Sequence, residues 1–344
     1  DWYIDQMKRP AYKSASLPIS ANEKVYTYDK RSFNYILPRI QDSITTREAL
    51  DFLYDDSNWS KEVPGYGRLN HLPTNKLYIP VNKEAAIVSG TVSETMKDSI
   101  ADRIIPNFSD SKGLYMSQVA VLDMLTTNAE EGFKRPIYFT VTVGNDLYMG
   151  LRDYFSRTGL AYQIIPVKSQ GGAINTDKMY DNMMNKFVFG GIDKATPEKP
   201  LYLDENVRRM CTTLRVMYSD LAEQLILEGK NDKALKVLDK INTAIPGWQV
   251  THEYASMRMV ESYYMIGEKE KGDKLLEEIM DNSIAYLYWF RSLTPSQLRS
   301  VGDDYRIHGY VVRSGINYLY DSKNEALAEK YMKEIEQKGI RFAE

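Results

Sequence analysis

The sequence predicts two parts: an α/β N-terminal domain with a partly parallel sheet over residues 1–200, and an all-α, tetratricopeptide-like helical repeat domain over residues 201–344. Three observations point there. Strand-like and helix-like periods alternate through the first two hundred residues, and beyond them only the helical period persists. Between the two lies a Pro- and Gly-containing linker, GGIDKATPEKP at 190–200. Length agrees, because 344 residues exceed the roughly 250–300 at which a single core stops growing.

Taken in order, DWYIDQM has helical spacing from residue 1, and so abrupt a start leads us to expect a piece of something longer. KVYTYD (24–29) and KLYIPV (76–81) alternate polar and apolar residues, AAIVSG (85–90) is a short apolar run ending in glycine, and RPIYFTVTVG (135–144) is rich in β-branched and aromatic residues. These read as strands. TTREALDFLYDD (45–56), YMSQVAVLDMLTTNAEEG (115–132) and DLYMGLRDYFSRTG (146–159) carry the helical period, and GLAYQIIPVK (159–168) returns to strand. Helix and strand in alternation imply a layered α/β arrangement with some parallel pairing. Asp204 stands where it would cap the long helix that opens the second part.

The repeats rest on LAEQLILEGKNDKALKVLDKINTAIPG (221–247). With Gly229 at the turn, Tyr218, Leu221, Ala222 and Leu225 share one helical face before it; Ala234, Leu238 and Ile241 follow on the next helix, and Pro246 closes the unit. Small residues where helices cross and a glycine at the turn make this the tetratricopeptide pattern. A second unit follows around Gly267, with Met259, Val260 and Tyr263 before it, Leu276 and Ile279 after it, and Gly272 in place of the usual alanine. A third is expected where Ile316 and Leu319 precede a turn at 321–324 and Ala328, Met332 and Ile335 follow. SIAYLYWFRSL (283–293), between the second and third units, reads as core packing.

Composition excludes several functions. The net charge is −3, from 44 basic and 47 acidic residues interspersed along the chain, so no nucleic-acid footprint is present. The one cysteine, Cys211, lies in an apolar helical pattern and reads as a buried thiol; it rules out an internal disulfide framework. His71, His252 and His308 stand far apart, so we expect no metal, and no motif calls for a cofactor. No run reaches the 18 or so apolar residues of a membrane span.

Chemical signals are sparse, and no catalytic residue is assigned. Asn145 and Asp146 follow an expected strand and precede an expected helix, the place where open α/β sheets bind ligands, although Asn and Asp before a helix serve more often as caps. SQGGAINTDKM (169–179) lacks the spacing of a phosphate loop and reads as a flexible loop leading to a helix start at Asn175 or Thr176. Asp55–Asp56 and Asp303–Asp304 read as solvated or capping carboxylates. The 26 tyrosines suit a surface that stacks on sugars or grips a protein, while Tyr138 and Tyr162 fit half-buried sheet positions.

DWYIDQMKR, the LPIS that follows it, and KRPIYFTVTVGNDLYMGLRDYFSRTGLAYQIIPVK (134–168) resemble the post-membrane region of a large Bacteroidetes family of multispanning membrane proteins, described mainly as a domain of unknown function. The membrane part of that family resembles protein O-mannosyltransferases of the GT-C class. The resemblance implies a polyprenyl-phosphate sugar donor, catalytic acids in membrane loops outside this chain, and a periplasmic position for this part. Asp42-Ser43-Ile44 and Asp98-Ser99-Ile100 are similar to the Asp-Ser/Thr-apolar triplets that are O-glycosylated in periplasmic proteins of Bacteroidetes, and are also ordinary helix starts.

Three functions compete on these grounds. One is a non-catalytic periplasmic module that positions a protein acceptor for the membrane-embedded transferase, with the acceptor and the chain's own membrane region as partners. A second is a free-standing carbohydrate- or nucleotide-sugar-active enzyme with a crevice near Asn145 and Asp146. The third is a structural assembly domain.

Overall fold

A computed structural model describes residues 17–21, 32–108 and 111–340. The expected helix DWYIDQM and the expected strand KVYTYD lie outside the described residues. The chain divides into two compact units, residues up to Asn175 and residues from Thr176, so the expected boundary at 200 falls inside the second unit.

The first unit holds several small mixed sheets. Phe33–Ile36 lies between parallel His71–Leu72 and antiparallel Gly113–Tyr115. Leu77–Pro80 lies between parallel Ile44–Thr45 and antiparallel Arg103–Ile104. The third sheet runs Ala173–Ile174, Phe155–Arg157, Ala161–Ile164, Tyr138–Thr140, and only its first pair is parallel. Its inner side packs Phe139 on Phe155 and Phe155 on Tyr162, with ring centroids 5.6 and 5.0 Å apart. Tyr162 is half-buried, whereas Tyr138 is exposed.

Among the described residues, three α-helices belong to this unit: α1 (Thr46–Tyr54), α2 (Lys83–Val88) and α3 (Met116–Glu130). The first starts in a capping box between Thr45 and Glu48, which satisfies two otherwise orphaned donors. It is fastened to α3 by Asp123, a fully buried carboxylate that accepts from Tyr54 Oη at 3.0 Å, from Thr127 Oγ1 at 3.0 Å and from the backbone nitrogens of Ser20 and Ala21 at 3.0 Å. Beside it Arg47 forks onto Glu130, Nε to Oε1 at 3.0 Å and Nη2 to Oε2 at 2.8 Å.

Two expectations are corrected here. AAIVSG is helical from Lys83 to Val88, because the Asn82 side chain caps Ala85 N at 3.0 Å and Gly90, at φ +71°, ends the turn before any strand could pair. DLYMGLRDYFSRTG forms no α-helix. It makes two 3₁₀ turns, Asn145–Tyr148 and Leu151–Tyr154, and then the strand Phe155–Arg157. The break between the turns is Met149–Gly150, both left-handed, where the carbonyl of Met149 accepts from Asn107 N at 2.8 Å and the glycine lies against Asn107. A side chain at 150 would have no room, and a continuous helix would lose that contact.

The second unit is mainly helical. Helix α4 (Thr176–Asp181) leads through a short π-helical stretch into the segment that the linker was expected to occupy. The π-helical stretch ahead of that segment packs on the helices: Tyr218 Oη donates to Met183 O at 2.6 Å and Lys240 Nζ to Met184 O at 2.5 Å. Helix α5 (Glu205–Leu227) is capped by Asp204, whose carboxylate accepts from Val207 N at 2.9 Å. It folds onto α6 (Asn231–Ala244). Helices α7 (Met257–Met265) and α8 (Lys269–Phe290) form a second hairpin; α9 (Pro295–Ser300) is short, and α10 (Gly302–Asp321) with α11 (Glu325–Gln337) form a third.

The three hairpins turn in one way. Gly229 N donates to Ile226 O and Lys230 N to Leu225 O; Gly267 N to Tyr264 O and Glu268 N to Tyr263 O; Lys323 N to Tyr320 O and Asn324 N to Leu319 O. Each pair is a Schellman closure around a left-handed residue, at φ +72°, +85° and +59°. Four residues past each turn's last cap stand Ala234, Gly272 and Ala328, all buried. Leu225, Tyr263 and Leu319 are equivalent core positions and are buried as well. Met332, the counterpart of Leu238 and Leu276, is half-exposed instead of central to the core. Gly272 is glycine for a reason visible in the packing: a β-carbon there would stand 2.6 Å from the Tyr264 ring, which Asp273 holds by a 2.7 Å hydrogen bond.

Two substitutions should therefore move stability in opposite directions. Lys323→Gly relieves a non-glycine left-handed turn and should stabilise the fold by about 0.5–1 kcal/mol. Gly272→Ala should cost about 1–3 kcal/mol by overpacking against Tyr264. Urea midpoints of the two variants against the parent chain check both signs; an unchanged midpoint for Gly272→Ala would contradict the close approach.

Candidate functional site

Each unit carries an open depression. In the first unit, Asn145 and Asp146 lie in the 3₁₀ turn Asn145–Tyr148, whose N-cap is Gly144 and which has no side-chain cap. The preceding strand ends at Thr140, so neither residue stands directly at a strand's carboxyl end, as the sequence led us to expect. Both border a depression of about 220 Å³ with Asn107, Ser111, Gln118 and Gly150. Gln118 Nε2 donates to the backbone oxygen of Asp146 at 3.1 Å, and the Asp146 carboxylate folds back toward Gly144. Among the described residues this depression holds one carboxylate and no cation. A neighbouring cleft of about 510 Å³ is lined by Lys76, Arg103 and Lys168, with the guanidinium of Arg103 spread over the Tyr78 ring at 5.0 Å and Lys168 3.8 Å from Asp153.

In the second unit a groove of about 500 Å³ opens between α5, the turn Tyr254–Ser256, the end of α8 and the start of α10. It exists because α8 runs on beyond its hairpin partner. Ile284, Leu287 and Phe290 keep the helical period on the core side, while Tyr286 and Trp289 fall on the opposite face, 41% and 50% exposed. The expectation that 283–293 is core material is thus corrected for half of that stretch. Phe290 forms the floor. Tyr286 stacks on His308 at 4.5 Å with an interplanar angle of 12°, and Tyr254 meets Tyr310 edge-on at 5.7 Å. The rim carries two carboxylates, Glu253 and Asp304. Asp303, next to it, pairs with Arg306, so of the adjacent aspartates one is a helix-surface charge and the other borders the groove.

Sequence reasoning did not single out Trp289 or Glu253, and it read Asp304 only as a solvated or capping carboxylate. A signal for the first was present: large rings at 286 and 289 cannot share the core face with 284 and 287 on one helix. Glu253 carried none, because its position depends on the loop between α6 and α7. That loop is held from below by Arg215, almost fully buried, whose terminal nitrogens donate to the carbonyls of Ile245, Val250 and Thr251 at 2.5–2.9 Å. Burial lowers the Arg215 pKa to about 10, still charged at neutral pH.

Over residues 1–183 the sequence matches the family described as TMEM260-associated domain 2. The chain belongs to that family. No curated protein and no solved structure shows significant similarity to it. The TMEM260-associated match covers the first unit and the beginning of the second, so α5 to α11 and the aromatic groove lie beyond it. No helix among the described residues is long and apolar enough to cross a membrane.

The three histidines have separate structural tasks in this family member. His71 Nδ1 bonds to Leu69 O at 2.9 Å, His252 Nδ1 to Ser256 Oγ at 2.9 Å and His308 Nδ1 to Ser283 Oγ at 3.1 Å. Cys211 is buried and its thiol is pushed up by desolvation, which keeps it protonated and unreactive.

Burial lowers all three imidazoles, His252 to about 3, helped by the charge of Arg215. The folded chain therefore keeps neutral His252, while an unfolded chain binds a proton below about pH 6.5. Stability from this group is complete above that pH and is lost as pH falls from about 6.5 toward 3, at up to about 1.4 kcal/mol per pH unit. The urea midpoint should fall between pH 7 and pH 5, and the fall should be shallower in His252→Gln.

Proposed function

We propose that this chain is the extracytoplasmic, non-catalytic module of a membrane-embedded, GT-C-like protein glycosyltransferase, and that its tetratricopeptide-like helical unit holds the acceptor polypeptide. The observation that carries this reading is the aromatic groove: exposed rings of Tyr254, Tyr286 and Trp289 beside unpaired rim carboxylates, on a surface made by stacked helical hairpins. Stacked hairpins build extended surfaces suited to polypeptides. The shared turn register of the three hairpins, with small residues at 234, 272 and 328, supports the tetratricopeptide likeness. Family membership supports a companion role to a TMEM260-like membrane protein. The resemblance of residues 134–168 to the post-membrane region of GT-C-like proteins supports the periplasmic side and a catalytic centre outside this chain.

The enzyme reading around Asn145 and Asp146 has less behind it. Glycoside chemistry generally needs two carboxyl groups about 5–9.5 Å apart, and the depression there shows one among the described residues. The clustered aromatic exposure would suit an assembly surface too, but two carboxylates on the rim favour a specific polar partner over simple burial.

Incubated with a polyprenyl-phosphate-linked sugar and periplasmic acceptor proteins, the isolated chain should transfer nothing. The full-length membrane protein should transfer, and its Trp289→Ala/Tyr286→Ala double variant should lose about tenfold in rate at low acceptor concentration, the equivalent of about 1.4 kcal/mol of acceptor binding. Transfer by the isolated chain, or undiminished transfer by a well-folded double variant, would refute the proposal.

A further inference from the structure

We infer that the groove between α5, α8 and α10 recognises a basic side chain, an arginine in particular, presented by a polypeptide among apolar neighbours. This rests on the acceptor-holding reading and narrows it to a chemical class.

The groove's charge is one-sided. Glu253 and Asp304 stand on different elements of its rim, one on the loop before the Tyr254–Ser256 turn and one in the first turn of α10. Neither has an ion-pair partner within 4 Å among the described residues, and the groove lining contributes no lysine or arginine. The nearest buried cation, Arg215, feels the charge of Glu253 but spends its donors on three carbonyls, and burial lowers the His308 pKa against the opposing pull of Asp304. A neutral occupant would strip water from two carboxylates without a compensating charge, a cost that a cation removes.

The apolar part of the lining fits the same occupant. Tyr254 and Trp289 are half-exposed at the opening, beside Tyr286 stacked on His308 and above the floor made by Phe290. The negative face of an aromatic ring attracts a guanidinium or ammonium placed over it, tryptophan most strongly. Arginine matches better than lysine, because its planar group stacks on a ring while its edge donates to a carboxylate. The roughly 500 Å³ volume admits such a side chain together with an apolar neighbour. Val301 and Ile307, on the α10 side, supply the apolar wall that this neighbour would meet.

The test uses the whole chain and three blocked hexapeptides of leucine and alanine that differ only at one central residue: arginine, citrulline or glutamate. A methyl hexoside serves as a fourth probe. By isothermal titration the arginine peptide should bind, the citrulline peptide about tenfold more weakly and the glutamate peptide more weakly still, with an affinity for arginine that falls as salt rises. Trp289→Ala and Asp304→Asn, both at exposed positions, should each weaken the arginine peptide about five- to tenfold with the melting temperature unchanged. Equal binding of arginine and citrulline peptides, lost in Trp289→Ala, would overturn the basic-residue inference and leave the polypeptide reading standing. Binding of the hexoside alone, or of no probe, would overturn both.

Discussion

The close approach of paired helices is the constraint on which the second unit depends. Two helices can lie against each other just past a tight turn only if the chain reverses through a left-handed residue and if the first inward position of the second helix is small. Gly229 and Ala234, Gly267 and Gly272, Lys323 and Ala328 meet those two conditions in turn. Everything larger in the core is placed by them, from Leu225 to Ile335, because once the crossing distance is set the remaining side chains fill what space is left. Gly272 shows how tight the condition is: with Tyr264 swung over it and tied to Asp273, not even alanine fits without displacement.

A second theme is how this protein uses tyrosine. Tyr218, Tyr263 and Tyr331 are buried side chains whose hydroxyls reach a carbonyl or a carboxylate: Met183 O, Asp239 and Asp281. Burial raises each phenol far above its ordinary range, so each stays a neutral donor at any physiological pH. They fasten one helix to the next with an apolar body and a satisfied tip. The exposed rings of the groove belong to another set. Tyr254, Tyr286 and Trp289 are about half exposed and contribute less to the core. High tyrosine content thus has two causes in one unit, and the composition alone cannot separate them.

What the sequence disclosed follows the range of the forces involved. Helices α1, α3 and α5, the three hairpin turns and the Asp204 cap were legible because capping and the 3.6-residue period act within a few residues of chain. The segment 85–90 misled because β-branched residues suggest a strand, while a single capping asparagine at 82 decides for helix. The stretch after Gly144 misled for a non-local reason: its course is fixed by Asn107, some forty residues earlier in the chain, against Met149 and Gly150. Asn145 and Asp146 border a surface depression, yet the strand-end geometry that made them interesting is absent. The groove was the least legible feature, since Glu253, Trp289 and Asp304 come from three elements and meet only through tertiary packing.

Stability accounts for only part of that groove: Asp304 lies in the first turn of α10, where a carboxylate favours the helix dipole, and the charge of Glu253 favours the buried Arg215 cation. An arrangement selected for folding alone would turn α8's last rings inward or replace them with charged residues. The exposed rings and the rim carboxylates share one surface. The Arg215 network beneath fixes the loop that carries Glu253 by burying a guanidinium against three carbonyls. An anchored acidic loop beside an exposed tryptophan is a surface ordered by folding itself, so if the proposed acceptor binds there, little further ordering cost would be subtracted from its contacts.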